Sequence, residues 1–541
     1  MLVIGLAASE LPILVMGQMA ELAPVTIQVL PLQRATACSG RFVAHVLDHT
    51  TRTADGVVRM FEANGSGAAV SDLDNDGDLD LLLGNHAGPN SLFWNQGGLT
   101  FDKQSWGEGF TRAITVVDLN QDGWRDIVLT RNTGVLNYWR NRGAGHFVQE
   151  VLPGVANPAY TLAWGDVDHD GDLDLVTASY DAGILTDVGN NFLLNGGGGV
   201  IYYEQRAGRF LPTRLSTTAQ GLALLLADIS EDGYLDILVG NDFAPPDQLW
   251  LGDPAATWTP IQPFAQTSQS TMSIDWGDIT NRGSLAIFTA DMNPYDTAIS
   301  TLAAWLPVMA TLQETNARDD PQHLANTLQV RSATGSWRNE APRRGVDASG
   351  WSWASKFGDL DNDGYLDLYV VNGMIEERMF GHLPNHELVE ENQAFRNVGD
   401  GYFMPMPSWG LSSKLSGRSL VLADLDNDGD LDGVVNNLRG PAQLWENQLC
   451  GGNSLAVELL WPTVQNRDGL GGVVTVHTSR GHYRRDVRSA SGYLAGDAPR
   501  LHFGLPVDAQ VQSIDVRWPD GARSVVESSE VNKLLQIERR W

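Results

Sequence analysis

Short apolar runs bounded by Asp, Asn and Gly recur along most of this chain. Ala68-Ala69-Val70 leads into an acidic stretch and Leu81-Leu82-Leu83 leaves it. Leu224-Leu225-Leu226 leads into another, and Ile127-Val128-Leu129 and Leu368-Tyr369-Val370 follow two more. Short β-rich runs closed by turn formers predict strands. A third segment carries aromatics around an Asn/Gly turn: Phe93-Trp94-Asn95 to Phe101, Tyr138-Trp139 and Asn141 to Phe147, Phe395 and Asn397 to Phe403. This grammar predicts hairpins.

Between the first two strands of each unit lies a nine-residue loop with glycine at its sixth position. The first places Asp72, Asp74, Asp76, Asp78 and Asp80 at every odd position. The second has Asp118, Asn120, Asp122 and Asp126, and the third Asp166, Asp168, Asp170, Asp172 and Asp174. The fourth has Asp228, Ser230, Asp232 and Asp236. The sixth has Asp359, Asp361, Asp363 and Asp367, and the seventh Asp424, Asp426, Asp428, Asp430 and Asp432. The fifth, Asp278 to Ala286, keeps the frame but has Thr280, Arg282 and Ala286 where acids belong. Side-chain oxygens at positions 1, 3, 5 and 9, with a backbone carbonyl near 7, suit one hard cation, and calcium is the simplest choice. Glycine at position 6 admits the sharp turn. An EF-hand would need a bidentate Glu at position 12 and flanking helices. Position 12 here is Leu83, Val370 or Val435, and a β-run follows.

The loop starts are separated by 46, 48, 62, 50, 81 and 65 residues. Such periods suit four-stranded propeller blades with insertions. Seven units close into a ring, because one sheet cannot bury both its faces alone. The expected class is all-β: a seven-bladed β-propeller over residues 41–448, with calcium-binding hairpin loops, followed by a small β domain over 449–541. Its signs are alternating runs such as Gly472 to His477 and Ile514 to Trp518. Residues 1–40 are read as a leader, either an export signal or a segment that packs on the body. Met1–Ala8 and Leu11–Gly17 are apolar, but Glu10 and Pro12 interrupt them and no Lys or Arg precedes Arg34. The stretch Ile299 to Leu312 is expected to be a short apolar helix with a break at Pro307, packed locally or against a partner. Trp164, Trp276, Trp351 and Trp353 are expected to pack between blades.

Composition sharpens this picture in two places. The net charge is −30, and 26 of the 66 acidic residues lie in the six intact loops. The acidity therefore reads first as metal demand, and it excludes nucleic acid, which needs clustered Lys and Arg. The two cysteines, Cys38 and Cys450, flank the repeats. They are either unrelated thiols or a disulfide suited to an oxidising compartment. Catalytic motifs are missing: there is no Gly-x-Ser-x-Gly elbow, phosphate loop or His-Glu-x-x-His. His477, His482 and His502 read as surface or packed histidines without fixed ligand geometry. Asn64-Gly65-Ser66 is a glycosylation sequon.

At these residues the chain resembles a known family. The loops look like FG-GAP/VCBS repeats, which build the calcium-binding propeller of integrin α subunits. Asn466 to Gly472, Gly492-Tyr493, Leu501 to Leu505 and Val516 to Gly521 look like an ASPIC/UnbV domain. The combination is similar to the cartilage acidic protein family. The resemblance implies an exported, non-catalytic recognition or adhesion scaffold. About six structural calcium ions would sit at positions 1, 3, 5 and 9, weaker at loops two and four because of Asn120 and Ser230, and none at loop five. Its partner would be an extracellular or envelope protein or glycan, and its place extracellular, at the cell surface or periplasmic. Two other readings remain: a carbohydrate-binding or carbohydrate-active protein, and a subunit or assembly factor of a cell-envelope complex.

Overall fold

A computed structural model describes residues 22–540, apart from 34, 36, 132, 189–197, 313–319 and 333. The apolar stretches Met1–Ala8 and Leu11–Gly17 lie outside the described residues, as does the 189–197 connection.

Seven antiparallel four-stranded units follow one another. In the first, Ala68–Ser71 pairs with Asp80–Leu83, which pairs with Asn90–Asn95 and then Phe101–Trp106. The innermost strands of successive units are neighbours: Ala68–Ser71, Thr111–Val117, Thr161–Gly165, Gly221–Ala227, Ser273–Gly277, Gly350–Gly358 and Gly417–Ala423. The last of these also meets the first, so the ring is closed. These strands are buried on both faces, which is why they read as apolar and small-residue runs rather than alternating ones. Unit seven borrows its outer strand from the other end of the chain: Phe42–Thr50 pairs with Pro441–Asn447. Cys38 and Cys450 form a disulfide beside this seam, with Cα atoms 5.6 Å apart.

The last domain contains two four-stranded sheets. One runs Val25–Pro31, Lys533–Arg539, Asn453–Leu460, Arg500–Leu505; the other His482–Asp486, Val473–Thr478, Val511–Arg517, Arg523–Val526. Val25–Pro31, within the stretch read as a leader, is thus an edge strand of the C-terminal sheet. Leu455, Val457, Val474, Val476, Phe503, Ile514 and Ile537 bury the inner faces.

A hairpin from this domain enters the ring. Ala490–Ser491 pairs with Ala495–Gly496, which runs parallel to Ala68–Ala69 of unit one. Gly492 bridges Ile274 of unit five. At the tip, Tyr493 is fully buried; its Oη donates to the carbonyl of Asn64 at 2.9 Å and lies 3.0 Å from Tyr160 Oη. Its ring lies 5.4 Å from that of Trp353. Buried Arg112 and Arg418 close the same end of the channel by donating to carbonyls of residues 61–65. Asn64 itself is buried in the folded chain.

The four tryptophans are buried as expected, but Trp353 packs on the inserted tyrosine, and Trp351 on Trp305 and Phe380, rather than between blades. The expected break at Pro307 is not present: the helix runs continuously over Ile299–Leu312. Trp305 anchors it, buried against Trp351 and donating Nε1 to Glu390 Oε1 at 3.0 Å. No described helix is long and apolar enough to cross a membrane.

Candidate metal centre

Each acidic loop joins the first and second strands of its unit, with the residue before the loop paired to position 9, as in Ser71 with Asp80 and Ala423 with Asp432. The turn follows from two left-handed residues. Position 4 has φ between 54° and 65° in all seven loops and is Asn in four of them; the position-6 glycines have φ between 80° and 101°. Two carboxylates are also framework. The position-1 oxygen accepts the N–H of the position-6 glycine, as Asp72 does from Gly77 at 3.1 Å and Asp424 from Gly429 at 2.9 Å. Position 9 accepts the N–H of position 2 on one oxygen, as Asp80 does from Leu73 at 3.0 Å. Its other oxygen accepts the N–H of an asparagine on the third strand, Asn95, at 2.9 Å.

The sequence alone assigns that asparagine a turn, and the structure gives it a second role. Asn95, Asn141, Asn397 and Asn447 each bond the position-9 Asp through the backbone and donate Nδ2 to position-2 or equivalent carbonyls of the preceding blade: Leu425, Leu73, Ile279 and Leu360. They latch neighbouring blades at the metal loops. In three repeats the latch falls 23 residues after the first Asp, a spacing visible in the sequence.

Four loops gather three carboxylates whose oxygens lie within 4.8 Å of one another: Asp72, Asp74 and Asp80; Asp166, Asp168 and Asp170; Asp359, Asp361 and Asp367; Asp424, Asp426 and Asp432. Asp74 Oδ1, Asp166 Oδ1, Asp172 Oδ1 and Asp361 Oδ1 are buried without a hydrogen-bond partner. Burial, reinforced by neighbouring carboxylates, pushes Asp174 and Asp428 up to about 8 and Asp166 and Asp424 to about 7. Converging oxygens that ionise reluctantly and lack donors fit a bound hard cation.

Loops two and four are not among these triplets. Asn120 Nδ2 donates to Asp126 Oδ2 at 3.0 Å, and Arg140 lies 3.1 Å from Asp122. In loop four Arg517, from the last domain, lies 3.0 Å from Asp228 Oδ2. In loop five Arg282 turns outward to Asp400, and Asp278 accepts N–H groups of Arg282 and Gly283.

The loop face is covered by the chain's own last domain, and every position-6 glycine meets it. Arg500 donates to the carbonyl of Gly77, the Asn466 amide to Gly171, Arg484 to Gly283 and His502 to Gly429. A Cβ on Gly123 would come 2.9 Å from Arg467, and one on Gly364 2.7 Å from Tyr483; one on Gly233 would lie 3.6 Å from Arg517. Arg125 of loop two also pairs with Asp468 at 2.8 Å.

Family models match both parts of the chain. A family model described as FG-GAP-like repeat matches residues 72–129 and 118–177, and one described as ASPIC and UnbV matches 462–540. The chain is 26% identical over 522 residues to cartilage acidic protein 1 of Xenopus tropicalis, covering 87% of this chain and 73% of that protein. The mouse and human proteins of that name are 29% identical over 191 and 192 residues, a third of this chain and 27% of theirs. Among solved structures, BBS1N in complex with ARL6DN aligns over 77% of this chain and 98% of its own, with 9% identity and a TM-score of 0.42. SapL1 lectin in complex with alpha methyl fucoside aligns over 62% and 94%, with 10% identity and a TM-score of 0.33. The chain carries FG-GAP-like repeats and an ASPIC and UnbV domain on a mostly β, propeller-like fold.

Proposed function

We propose that this chain is an exported, calcium-stabilised scaffold that recognises a protein partner without catalysis. The observation that carries the reading is the set of four carboxylate triplets, three of which hold a buried, unpartnered oxygen on Asp74, Asp166 or Asp361. Calcium would neutralise them while the framework bonds of positions 1 and 9 hold the loop shape. Each ion at tenfold excess over its dissociation constant would add about 1.4 kcal/mol. The disulfide and the calcium demand both favour an oxidising, calcium-rich compartment: extracellular, cell-surface or periplasmic.

Because the last domain occupies the loop face, recognition falls to the opposite face. There the connections between second and third strands, and the segments leading into the inner strands, expose Met60, Phe110, Phe243, Ile299, Leu306 and Val389. Large exposed apolar side chains on one face favour a protein partner over a glycan. The cartilage acidic protein resemblance is consistent with such a scaffold.

The test is calcium titration by calorimetry on chelator-stripped protein, with melting curves in calcium and in chelator. About four tight ions, weaker binding at loops two and four, and a large upward shift in melting are expected. Zero or one ion with no shift would sink the reading and reopen the glycan-active one.

A further inference from the structure

The last domain brings together three side chains that the acidic loops do not use. His477 and His482 are directly opposed on adjacent antiparallel strands. Their Nδ1 atoms lie 2.7 Å apart and their rings meet edge to face, with centroids 4.6 Å apart. Asp515, on the strand beyond His477, places Oδ2 3.2 Å from His477 Nε2. The His477 side chain is 27% exposed and that of Asp515 53%, so the group is open to solvent. Beneath it Val474, Val476, Ile514 and Val516 are buried, and the backbone carrying all three is paired sheet.

This arrangement has the parts of a nitrogen-donor metal site. A carboxylate behind an imidazole holds the ring proton on the far nitrogen and raises the basicity of the near one. Asp515 Oδ2 lies 3.2 Å from His477 Nε2 but outside hydrogen-bond geometry, and a small turn of the carboxylate would let it hold the proton there and leave the Nδ1 lone pair facing His482. Two imidazole nitrogens about 2.0–2.1 Å from a tetrahedral zinc stand about 3.3 Å apart. The observed 2.7 Å is opened to that by a small rotation of two surface side chains. Arg484 is the cation nearest in register, opposite Thr475, and it is turned to Asp486 at 3.0 Å. Calcium prefers oxygen, whereas imidazole suits zinc and copper.

We propose that His477 and His482, with Asp515 behind His477, bind one late first-row dication, zinc(II) or copper(II), at a site separate from the calcium loops. The test uses the full chain, stripped with chelator and then saturated with calcium, with one equivalent of copper(II) read by electron paramagnetic resonance. The expected spectrum shows two in-plane imidazole nitrogens, and the signal is lost in His477→Gln/His482→Gln with an unchanged melting curve. If the double variant does not fold, His482→Gln alone is expected to show one nitrogen in place of two. Zinc binding by calorimetry is expected to weaken about tenfold in Asp515→Asn. An all-oxygen copper spectrum, or two nitrogens retained in the His482→Gln protein, would overturn the site; the two histidines would then share only a proton.

Discussion

Arg396 Nε lies 2.6 Å from Asp361 Oδ2, and its Nη2 lies 2.8 Å from Asp363 Oδ2. A guanidinium therefore stands at the third and fifth positions of loop six. The side chain comes from the residue just before the latch Asn397. The same place holds Arg140 at loop two, but Glu204 at loop three and Glu446 at loop seven, where each glutamate adds repulsion to Asp168 or Asp426. If the loops bind calcium as proposed, this one position would tune their affinity loop by loop. Replacing Arg396 by Gln is expected to tighten one calcium site by up to about 1 kcal/mol, roughly fivefold, the upper end for a half-screened ion pair. Glu446→Gln is expected to shift another site the other way. Site-resolved calorimetry reads both; equal isotherms for all three proteins would remove the tuning role.

The raised carboxylates fix the sign of a pH effect. Asp174 and Asp428 titrate near 8 in the calcium-free fold, well above an unfolded aspartate, mainly because they are buried. A folded value raised above the unfolded one gives stability that is complete below the unfolded pKa and is lost as pH rises through the folded value. Chelated protein is thus expected to lose stability from about pH 4 to pH 8 through these groups. Calcium must displace their protons, so calcium affinity is expected to rise over the same interval. Denaturant curves in chelator and titrations at pH 5.5 and 8 would show it; calcium affinity independent of pH would contradict the assignment.

Tyr493 links the last domain to the far end of the channel. Tyr493→Ala removes a fully buried ring and is expected to cost about 3–5 kcal/mol. Tyr493→Phe leaves the Asn64 carbonyl without its donor and is expected to cost about 1–2 kcal/mol. Urea unfolding measures both. An alanine variant as stable as the parent would mean that the inserted hairpin adds nothing to the ring.

The Cys38–Cys450 disulfide closes a separation of 412 residues. Its removal by Cys38→Ser/Cys450→Ser is expected to cost about 2–5 kcal/mol, mostly through the unfolded chain. The loss appears in equilibrium unfolding of the double variant, and a parent-like midpoint would show that strand pairing alone holds the seam.

How far these features could be read from sequence depended on their range. The loop frame packs metal oxygens, N–H acceptors and the turn into nine residues, so Asp72 to Asp80 announces itself. The substitutions Asn120 and Ser230 were legible for the same reason. Arg140 and Arg517 were not, because they reach loops two and four from another strand and from another domain. Gly492-Tyr493 read as a local motif, yet Tyr493 bonds residues 333 and 429 positions away. Val25–Pro31 had no local partner to betray it, since its strand neighbour lies at Lys533–Arg539. The two histidines were visible, but their opposition depends on the register of one strand pair.

The segments on either side of the repeats meet in nested order: Val25–Pro31 against Lys533–Arg539, then Cys38 with Cys450, then Phe42–Thr50 against Pro441–Asn447. A ribosome delivers the first member of every pair hundreds of residues before the second. Val25–Pro31 and Phe42–Thr50 therefore wait unpaired until partners hundreds of residues downstream have been made. Such long-range closure is slow and leaves strand edges exposed while it is pending. Were the chain exported as proposed, it would travel best as an unclosed string, with calcium and an oxidant waiting where the ring is sealed.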